Sequence, residues 1–291
     1  MLPISILTAT YNHPNELKAL YESLKQQKDL NYTWIIIDDG SEEETRKLVD
    51  DIVNEKIIDV ICYHQDNGGK SKAINKGIEL LKNDTSFFVI IDDDEKLYPD
   101  AITIIKRYYF QYKDTDCGVI HFNRKDKKGN VIANPIFDND YYMSFQQHKG
   151  RGLHADGYLG YFFYKLRDYK FNIYDREKYI APSTLIMKVT RDCKLLWANA
   201  VLGETEYLEG GITKQGRRLR IKNPRGMIEY CCLMQENGAG LKTRLLYSIQ
   251  GFAYYSLLKN IETTETSKLI KFMRVPGMVL GYYWRRKYPN R

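Results

Sequence analysis

The sequence predicts an α/β protein: a doubly wound, mostly parallel (mixed) sheet with helices on both faces, followed by a C-terminal helical segment. Three observations carry this expectation. Over the first hundred residues, apolar runs of strand length alternate with segments of helical period. The runs are continuous rather than alternating, as in strands covered on both faces. Beyond Leu241 only helical patterning remains.

The elements follow in order. Leu2 to Thr10 reads as a strand, and Leu17, Leu20 and Leu24 then recur at helical spacing. Trp34 to Asp38 (WIIID) is a second strand, and Ser41-Glu42-Glu43-Glu44 reads as a capping box opening a helix. Ile57 to Tyr63 is a third strand, Ser71 to Lys82 a third helix and Phe87 to Ile91 a fourth strand. Ala101 to Tyr112 predicts a helix, Cys117 to Asn123 a strand, and Lys128-Gly129-Asn130 a turn. Asp138 to Tyr179 is rich in Tyr, Phe, Gly and charge without clear periodicity, and reads as loop-rich, substrate-facing structure. Leu241 to Asn260 is helical, and Thr266 to Tyr288 is a second helix that Pro276-Gly277 should kink or break.

Composition excludes several classes. At 291 residues, 43% hydrophobic and 28% charged, the chain has ordinary globular composition. No run reaches the ~18 apolar residues of a membrane span, and Met1-Leu2-Pro3 opens no signal peptide, so a cytoplasmic chain is expected. Five scattered cysteines without a C-x-x-C pair suggest neither a disulfide framework nor zinc, and the five histidines show no metal-binding spacing. The net charge of +7 is local: the last acidic residue is Glu265, and seven bases follow it, leaving residues 1–265 formally neutral. A body without a basic face argues against nucleic-acid binding.

Three polar clusters stand where strands are expected to end: Thr10-Tyr11-Asn12, Asp38-Asp39-Gly40-Ser41 and Asp92-Asp93-Asp94. In a doubly wound sheet these ends converge on one crevice. Three consecutive aspartates repel one another unless a cation is present. The physical demand that fits is a nucleotide diphosphate with a divalent metal, because Mg²⁺ and Mn²⁺ share their shells between carboxylate and phosphate oxygens. Asp39 is placed to accept hydrogen bonds from a base or ribose. Neither G-x-G-x-x-G nor G-x-x-x-x-G-K-[ST] is present, which disfavours dinucleotide oxidoreductases and P-loop NTPases.

With these residues in view, the N-terminal portion resembles the family 2 glycosyltransferases of the GT-A fold. The resemblance rests on ILTATYN at Ile6–Asn12, IIIDDGS at Ile35–Ser41, NGGKSKAINKG at Asn67–Gly77 and VIIDDDEKLYPDA at Val89–Ala101. It implies an inverting transfer of a sugar from a nucleotide-activated, usually UDP-linked, donor. By the family pattern Thr10, Tyr11 and Asn12 line the nucleotide site, Asp39 contacts uracil or ribose, and Asn67 to Lys72 flank base and phosphate. Asp92, Asp93 and Asp94 supply the Asp-x-Asp region, with Asp94 as direct ligand of Mn²⁺ or Mg²⁺ and Asp92 nearer the ribose or metal. The expected organisation is a 1–225 glycosyltransferase domain, made of a nucleotide-binding half 1–100 and an acceptor half 101–225, with a C-terminal helical, basic-aromatic segment 226–291.

The C-terminal half is similar to bacterial capsule, exopolysaccharide and O-antigen transferases carrying GDKAE-like and EKF-x-PE motifs, here His154-Ala155-Asp156-Gly157 and Glu177 to Ser183. An inverting enzyme needs a carboxylate to take the acceptor proton. The PE glutamate is absent, replaced by Pro182-Ser183, so Asp156 and Glu177 are the candidate bases. A basic cluster from Lys214 to Arg225 includes Arg217 and Arg218, which resemble a Q-x-x-R-W signature and would clamp the diphosphate. The tail from Thr266 interleaves bases with aromatics and suits an anionic bilayer surface. The acceptor is then a glycan, for which an undecaprenyl-diphosphate-linked sugar is one form, reached from the inner face of the cell membrane. Two rivals stand beside this reading: a sugar-phosphate nucleotidyltransferase, and a catalytically silent GT-A relative serving as an assembly partner.

Overall fold

The computed structural model describes residues 4–81, 86–134, 136–166, 169–205, 212–236, 238–258 and 266–288. Along the chain it forms β1 (Ile4–Thr10), α1 (Pro14–Lys25), β2 (Thr33–Asp38), α2 (Glu43–Glu55), β3 (Asp59–His64), α3 (Lys70–Leu80), β4 (Phe87–Ile90), β5 (Glu95–Leu97), α4 (Ala101–Tyr112), β6 (Cys117–Lys125), β7 (Ala133–Asn134), β8 (Tyr141–Tyr142) and α5 (Phe145–Gly150). There follow β9 (His154–Ala155), β10 (Gly157–Phe162), α6 (Phe163–Leu166), α7 (Ser183–Val189), β11 (Lys194–Thr205), α8 (Ile212–Lys222), α9 (Pro224–Leu233), α10 (Leu241–Tyr255), α11 (Lys268–Phe272) and α12 (Arg274–Lys287).

The chain packs as two units. The first holds Met1–Met143, Leu153–Lys170 and Asp192–Glu206. Its sheet runs β3-β2-β1-β4-β10-β6-β11-β5, with β8 also on β11. The four N-terminal strands are parallel, β10 is antiparallel to both neighbours, and β11 returns to a parallel pairing with β6. The sheet is mixed, as expected. Ile4, Ile6, Trp34, Ile36, Phe87 and Val89 bury one face against α1, α2 and α4. Helix α3 covers the other face and crosses at Gly77, where the Leu7 side chain leaves no room for a Cβ. Apolar residues on both faces explain why the strands read as continuous runs.

Two local expectations are corrected here. Ser41 forms no capping box: α2 opens at Glu43 without a side-chain cap, and the Ser41 hydroxyl accepts the Asn12 N–H instead. The region from Asp138 to Tyr179 is not only loop, because it contains β10, a central strand. Tyr158, Tyr161 and Phe162 are buried on either side of it, so it shows no alternation to read.

The second unit holds Ser144–Gly152, Phe171–Arg191 and Tyr207–Arg291. Its core joins Met187 of α7 with Met227, Ile228, Cys231 and Leu233 of α9, Tyr254 of α10, Ile270 of α11 and Trp284 of α12. The expected boundary at residue 225 therefore differs from the division by packing, since α5, α7 and α8 belong with the C-terminal helices. The Thr266–Tyr288 helix is broken at Met273 rather than at Pro276-Gly277, and Pro276 lies in the first turn of α12. A first turn needs no N–H from proline, so the break falls before it.

Candidate active site

The carboxyl ends of β1, β2 and β4 form one polar edge of the first unit. Thr10, at the end of β1, donates 2.7 Å to Asp93 Oδ2, and His13 Nδ1 lies 3.2 Å from the same oxygen. That hydrogen bond lifts the His13 pKa above its ordinary value. Asn12 sits in the left-handed region (φ 55°) and ties β1 to β2: its N–H donates to Ser41 Oγ and its Oδ1 accepts from the Glu42 N–H. Tyr11 beside them is 47% exposed, presenting an open aromatic face at this edge.

Asp39 is buried and its two oxygens take four donors. Oδ1 accepts from Gln65 Nε2 (2.7 Å) and the Gly68 N–H (2.9 Å), while Oδ2 accepts from the Gly69 N–H (2.7 Å) and Asn67 Nδ2 (3.4 Å). In this structure it clamps the loop that leads into α3. Gly40 (φ 82°) allows the loop to close this tightly, since a Cβ there would lie 2.7 Å from the Asn67 nitrogen. Helix α3 then begins without a side-chain cap, its first turn carrying Lys70 and Lys72, with the Lys72 chain laid over Gly68. An uncapped helix start after a glycine loop is a site for phosphate oxygens.

At the end of β4 the three aspartates differ. Asp93 is committed to Thr10 and His13 and braces the floor of the crevice. Asp92 pairs with Lys70 at 2.5 Å. Burial opposes the charge on Lys70, but Asp92, with Asp93 and Asp94, outweighs it and lifts the pKa. Asp94 has no cation within ion-pair distance among the described residues; burial, then the charges of Asp92 and Asp93, push its carboxyl up to about 6. No three His, Cys, Asp or Glu side chains form a metal cage among the described residues. A nucleotide-bound Mg²⁺ or Mn²⁺ needs only one or two protein carboxylates, with phosphate and water completing the shell. Asp94, without a cation beside it and next to Asp92, fits that requirement.

One further carboxylate joins this edge. Glu95 accepts the Asp92 N–H at 2.9 Å, Arg124 at the end of β6 bonds Glu95 with one guanidinium nitrogen, and with the other it bonds Asp156. Asp156 is thereby tied through Arg124 and Glu95 to the backbone of Asp92. Lys70, Glu95 and Arg124 were not singled out from the sequence. Lys70 stood inside the NGGKSK motif, whereas Glu95 and Arg124 become partners only through the pairing of β11 with β5 and β6.

Glu177, Arg217 and Arg218 belong to the second unit. Both Glu177 oxygens accept backbone N–H groups at the start of α9, from Arg225 (2.8 Å) and Gly226 (2.9 Å). Burial lifts its pKa despite these donors. Its structural position is that of an anchor for a helix N-terminus. Arg217 donates 2.8 Å to the Tyr254 hydroxyl and lies over the Trp284 ring at 4.5 Å, so its guanidinium is engaged within the helices. Arg218 is exposed, in the part of α8 that follows the break at Gly216, and the Lys214 side chain lies outside the described residues.

The fold is the GT-A fold that the motifs imply, seen also in solved structures. Residues 1–349 of Staphylococcus aureus TarS, in complex with UDP-GlcNAc, align with a TM-score of 0.65 at 13% identity, over 100% of this chain and 93% of that one. The mannosyltransferase PcManGT of Pyrobaculum calidifontis, in complex with GDP-Man and Mn²⁺, aligns with a TM-score of 0.58 at 13% identity, over 98% and 82%. The profile described as Glycosyl transferase family 2 matches residues 5–171, more than half of the chain, and the chain belongs to that family. A teichoic acid poly(glycerol phosphate) polymerase of Staphylococcus epidermidis is 30% identical over 121 residues, 40% of this chain and 16% of the relative. Glycosyltransferase GlyG of Streptococcus pneumoniae serotype 4 is 25% identical over 130 residues, 44% of this chain and 42% of GlyG. The chain spans less than half the length of either relative.

Proposed function

We propose that this chain moves a sugar from a UDP-linked donor to a hydroxyl of a lipid-linked glycan, by a single displacement with inversion. The observation that carries the reading is the joined group Asp92–Glu95–Arg124–Asp156, which ties one carboxylate to the aspartate cluster where a donor diphosphate would lie. Tyr11 would stack on the base, and the first turn of α3, with Lys70 and Lys72, would receive the diphosphate. Asp94, with Asp92, would hold Mn²⁺ or Mg²⁺, which offsets charge on the leaving diphosphate when bound. Asp156 would take the proton of the attacking hydroxyl; the displacement breaks the bond from anomeric carbon to phosphate oxygen and forms one to the acceptor oxygen. The complexes of TarS with UDP-GlcNAc and of PcManGT with GDP-Man and Mn²⁺ support a nucleotide-sugar donor and a metal. The test is a panel of UDP-, GDP- and dTDP-sugars with Mn²⁺ or Mg²⁺, read by thermal shift and by release of nucleoside diphosphate. Metal-dependent stabilisation and slow release with a UDP-sugar are expected; binding without release, even with lipid-linked acceptors, would favour the silent relative.

The same reading puts the enzyme at the inner face of the membrane, working peripherally. No helix among the described residues is long and apolar enough to cross a bilayer. Helices α11 and α12 nevertheless expose Phe272, Val275, Met278, Val279, Tyr282 and Tyr283, bracketed by Lys268, Lys271 and Arg274 at one end and Arg285, Arg286 and Lys287 at the other. Each base near an anionic surface contributes about 1 kcal/mol. Ile270 and Trp284 of these helices are core residues, so removing the segment would also unfold what it packs on. The informative variant is V275S/V279S/Y282S, which touches only exposed positions. It is expected to lower co-sedimentation with phosphatidylserine-containing vesicles at least tenfold, with the melting temperature little changed.

A further inference from the structure

Lys70 stands where the electrostatics of a helix start disfavour it. It is the first residue of α3, directly after Gly69, and the first turn of that helix holds Lys70 and Lys72 and no acid. A helix N-terminus carries partial positive charge, so a cation there is repelled unless an anion holds it. Asp92 is that anion, with its Oδ1 2.5 Å from Lys70 Nζ. We propose that Lys70 is a built-in counter-cation that keeps a divalent metal off Asp92 until a nucleoside diphosphate draws its ammonium away, so that metal and nucleotide strengthen each other's binding. The proposal rests on the donor-diphosphate reading of this crevice and adds the way its two ligands depend on one another.

The aspartates are already shared out in a way that demands an exchange. Asp93 Oδ2 is taken by the Thr10 hydroxyl and His13. Asp92 has Lys70, and Asp94 has no cation within ion-pair distance among the described residues. A divalent ion seated by Asp94 with Asp92 therefore has to take Asp92 from Lys70, because an ammonium left there would repel it at close range.

The lysine is built to make that exchange with its side chain alone. Its backbone is fixed: the preceding Gly68 and Gly69 donate their N–H groups to Asp39 at 2.9 and 2.7 Å. Its ammonium is not, since it ends a flexible four-carbon stem. The side chains of Lys70 and Asp92 are 33% and 36% exposed, and an ion pair this open to water contributes little to stability and exchanges readily.

One ammonium then has two claimants. The uncapped first turn of α3 is where diphosphate oxygens would gather, and they offer Lys70 more negative charge than one carboxylate does. Nucleotide competes with Asp92 for Lys70, and metal competes with Lys70 for Asp92. Either ligand breaks the pair that opposes the other, and by linkage each raises the other's affinity by the same factor. This coupling is separate from direct chelation of the ion by phosphate, which survives the loss of Lys70.

The test is a Mn²⁺ titration of the whole chain with and without UDP, read by the electron paramagnetic resonance signal of free Mn²⁺ and corrected for Mn²⁺ held by UDP in solution. The proteins are the wild type, Lys70→Met, Lys70→Arg and Lys72→Met. Methionine keeps most of the stem and loses the charge, and arginine keeps the charge and the reach. Lys72→Met removes the same charge from the same turn, where that side chain lies over Gly68. Without UDP, Lys70→Met should bind Mn²⁺ roughly tenfold or more tightly than the wild type, while Lys70→Arg and Lys72→Met stay within about threefold of it. UDP should then tighten Mn²⁺ binding by roughly tenfold more in the wild type than in Lys70→Met. Mn²⁺ bound no more tightly by Lys70→Met than by the wild type, or an equal gain in Lys72→Met, would overturn the proposal. The coupling and the donor site fail separately. UDP that tightens Mn²⁺ binding equally in the wild type and Lys70→Met refutes the coupling and leaves the donor site standing, whereas UDP that alters Mn²⁺ binding in no variant refutes the donor site and the coupling with it.

Discussion

Asp94→Asn is expected to lower metal-dependent transfer by roughly a hundred- to a thousandfold, and to raise the melting temperature of the metal-free protein at pH 7. The two effects share one cause. Burial and the charges of Asp92 and Asp93 lift the Asp94 carboxyl from an ordinary value near 3.8 to about 6. Between about pH 4 and pH 6 the folded chain thus holds a proton that the unfolded chain has shed, so stability falls as pH rises through this window. Above it the ionised carboxylate costs the fold on the order of 1 kcal/mol after solvent screening. Asparagine removes that cost together with the ligand. Thermal melts from pH 4 to pH 8, with and without Mn²⁺ and UDP, check both halves: the variant should melt higher without metal above pH 6, match the wild type near pH 4, and gain less from metal with nucleotide. Full activity in Asp94→Asn, or no stability gain at pH 7, would remove Asp94 from its role.

The second large effect separates the two candidate bases. Asp156→Asn should reduce kcat by roughly 10²–10⁴-fold, the usual contribution of a positioned general base, while donor binding by thermal shift is retained. Glu177→Gln should behave in the opposite way. Its two oxygens accept two N–H groups at the start of α9, and the glutamine NH2 would leave one of those N–H groups facing a donor, which should cost roughly 1–3 kcal/mol of stability, read as a lower urea midpoint. Activity per folded molecule should stay within a few-fold of the wild type. A kcat loss in Glu177→Gln as large as that in Asp156→Asn, with the fold intact, would reverse the assignment.

The parts of the site that the sequence made legible are those set by strand ends. Thr10, Asn12, Asp39, Asn67, Asp92, Asp93 and Asp94 lie together because parallel strands deliver their carboxyl ends to one edge whatever the detailed packing. Their individual duties were less legible. Asp39 reads as a base-contacting residue from its position alone, and that reading does not show that its oxygens also take the Gly68 and Gly69 N–H groups. Ser41 has the sequence of a cap, yet Asn12 takes its hydroxyl. In both cases a partner from another segment outcompetes the local one, and no local pattern announces that partner.

The sequence by itself determined the α/β class, the winding of β1 to β4, the polar edge and its three carboxylates, because these depend on periodicity and on residues a few positions apart. Tertiary structure alone decided that β10 enters the middle of the sheet, that α7 joins the C-terminal helices, and that Arg124 holds Asp156. It also placed Glu177 under α9 and Arg217 on Trp284. These depend on pairings between residues 30 to 90 positions apart, such as Tyr161 with Phe88 across β10 and β4. The free energy that selects such pairings comes from burying shapes against each other, which no stretch of the chain carries alone.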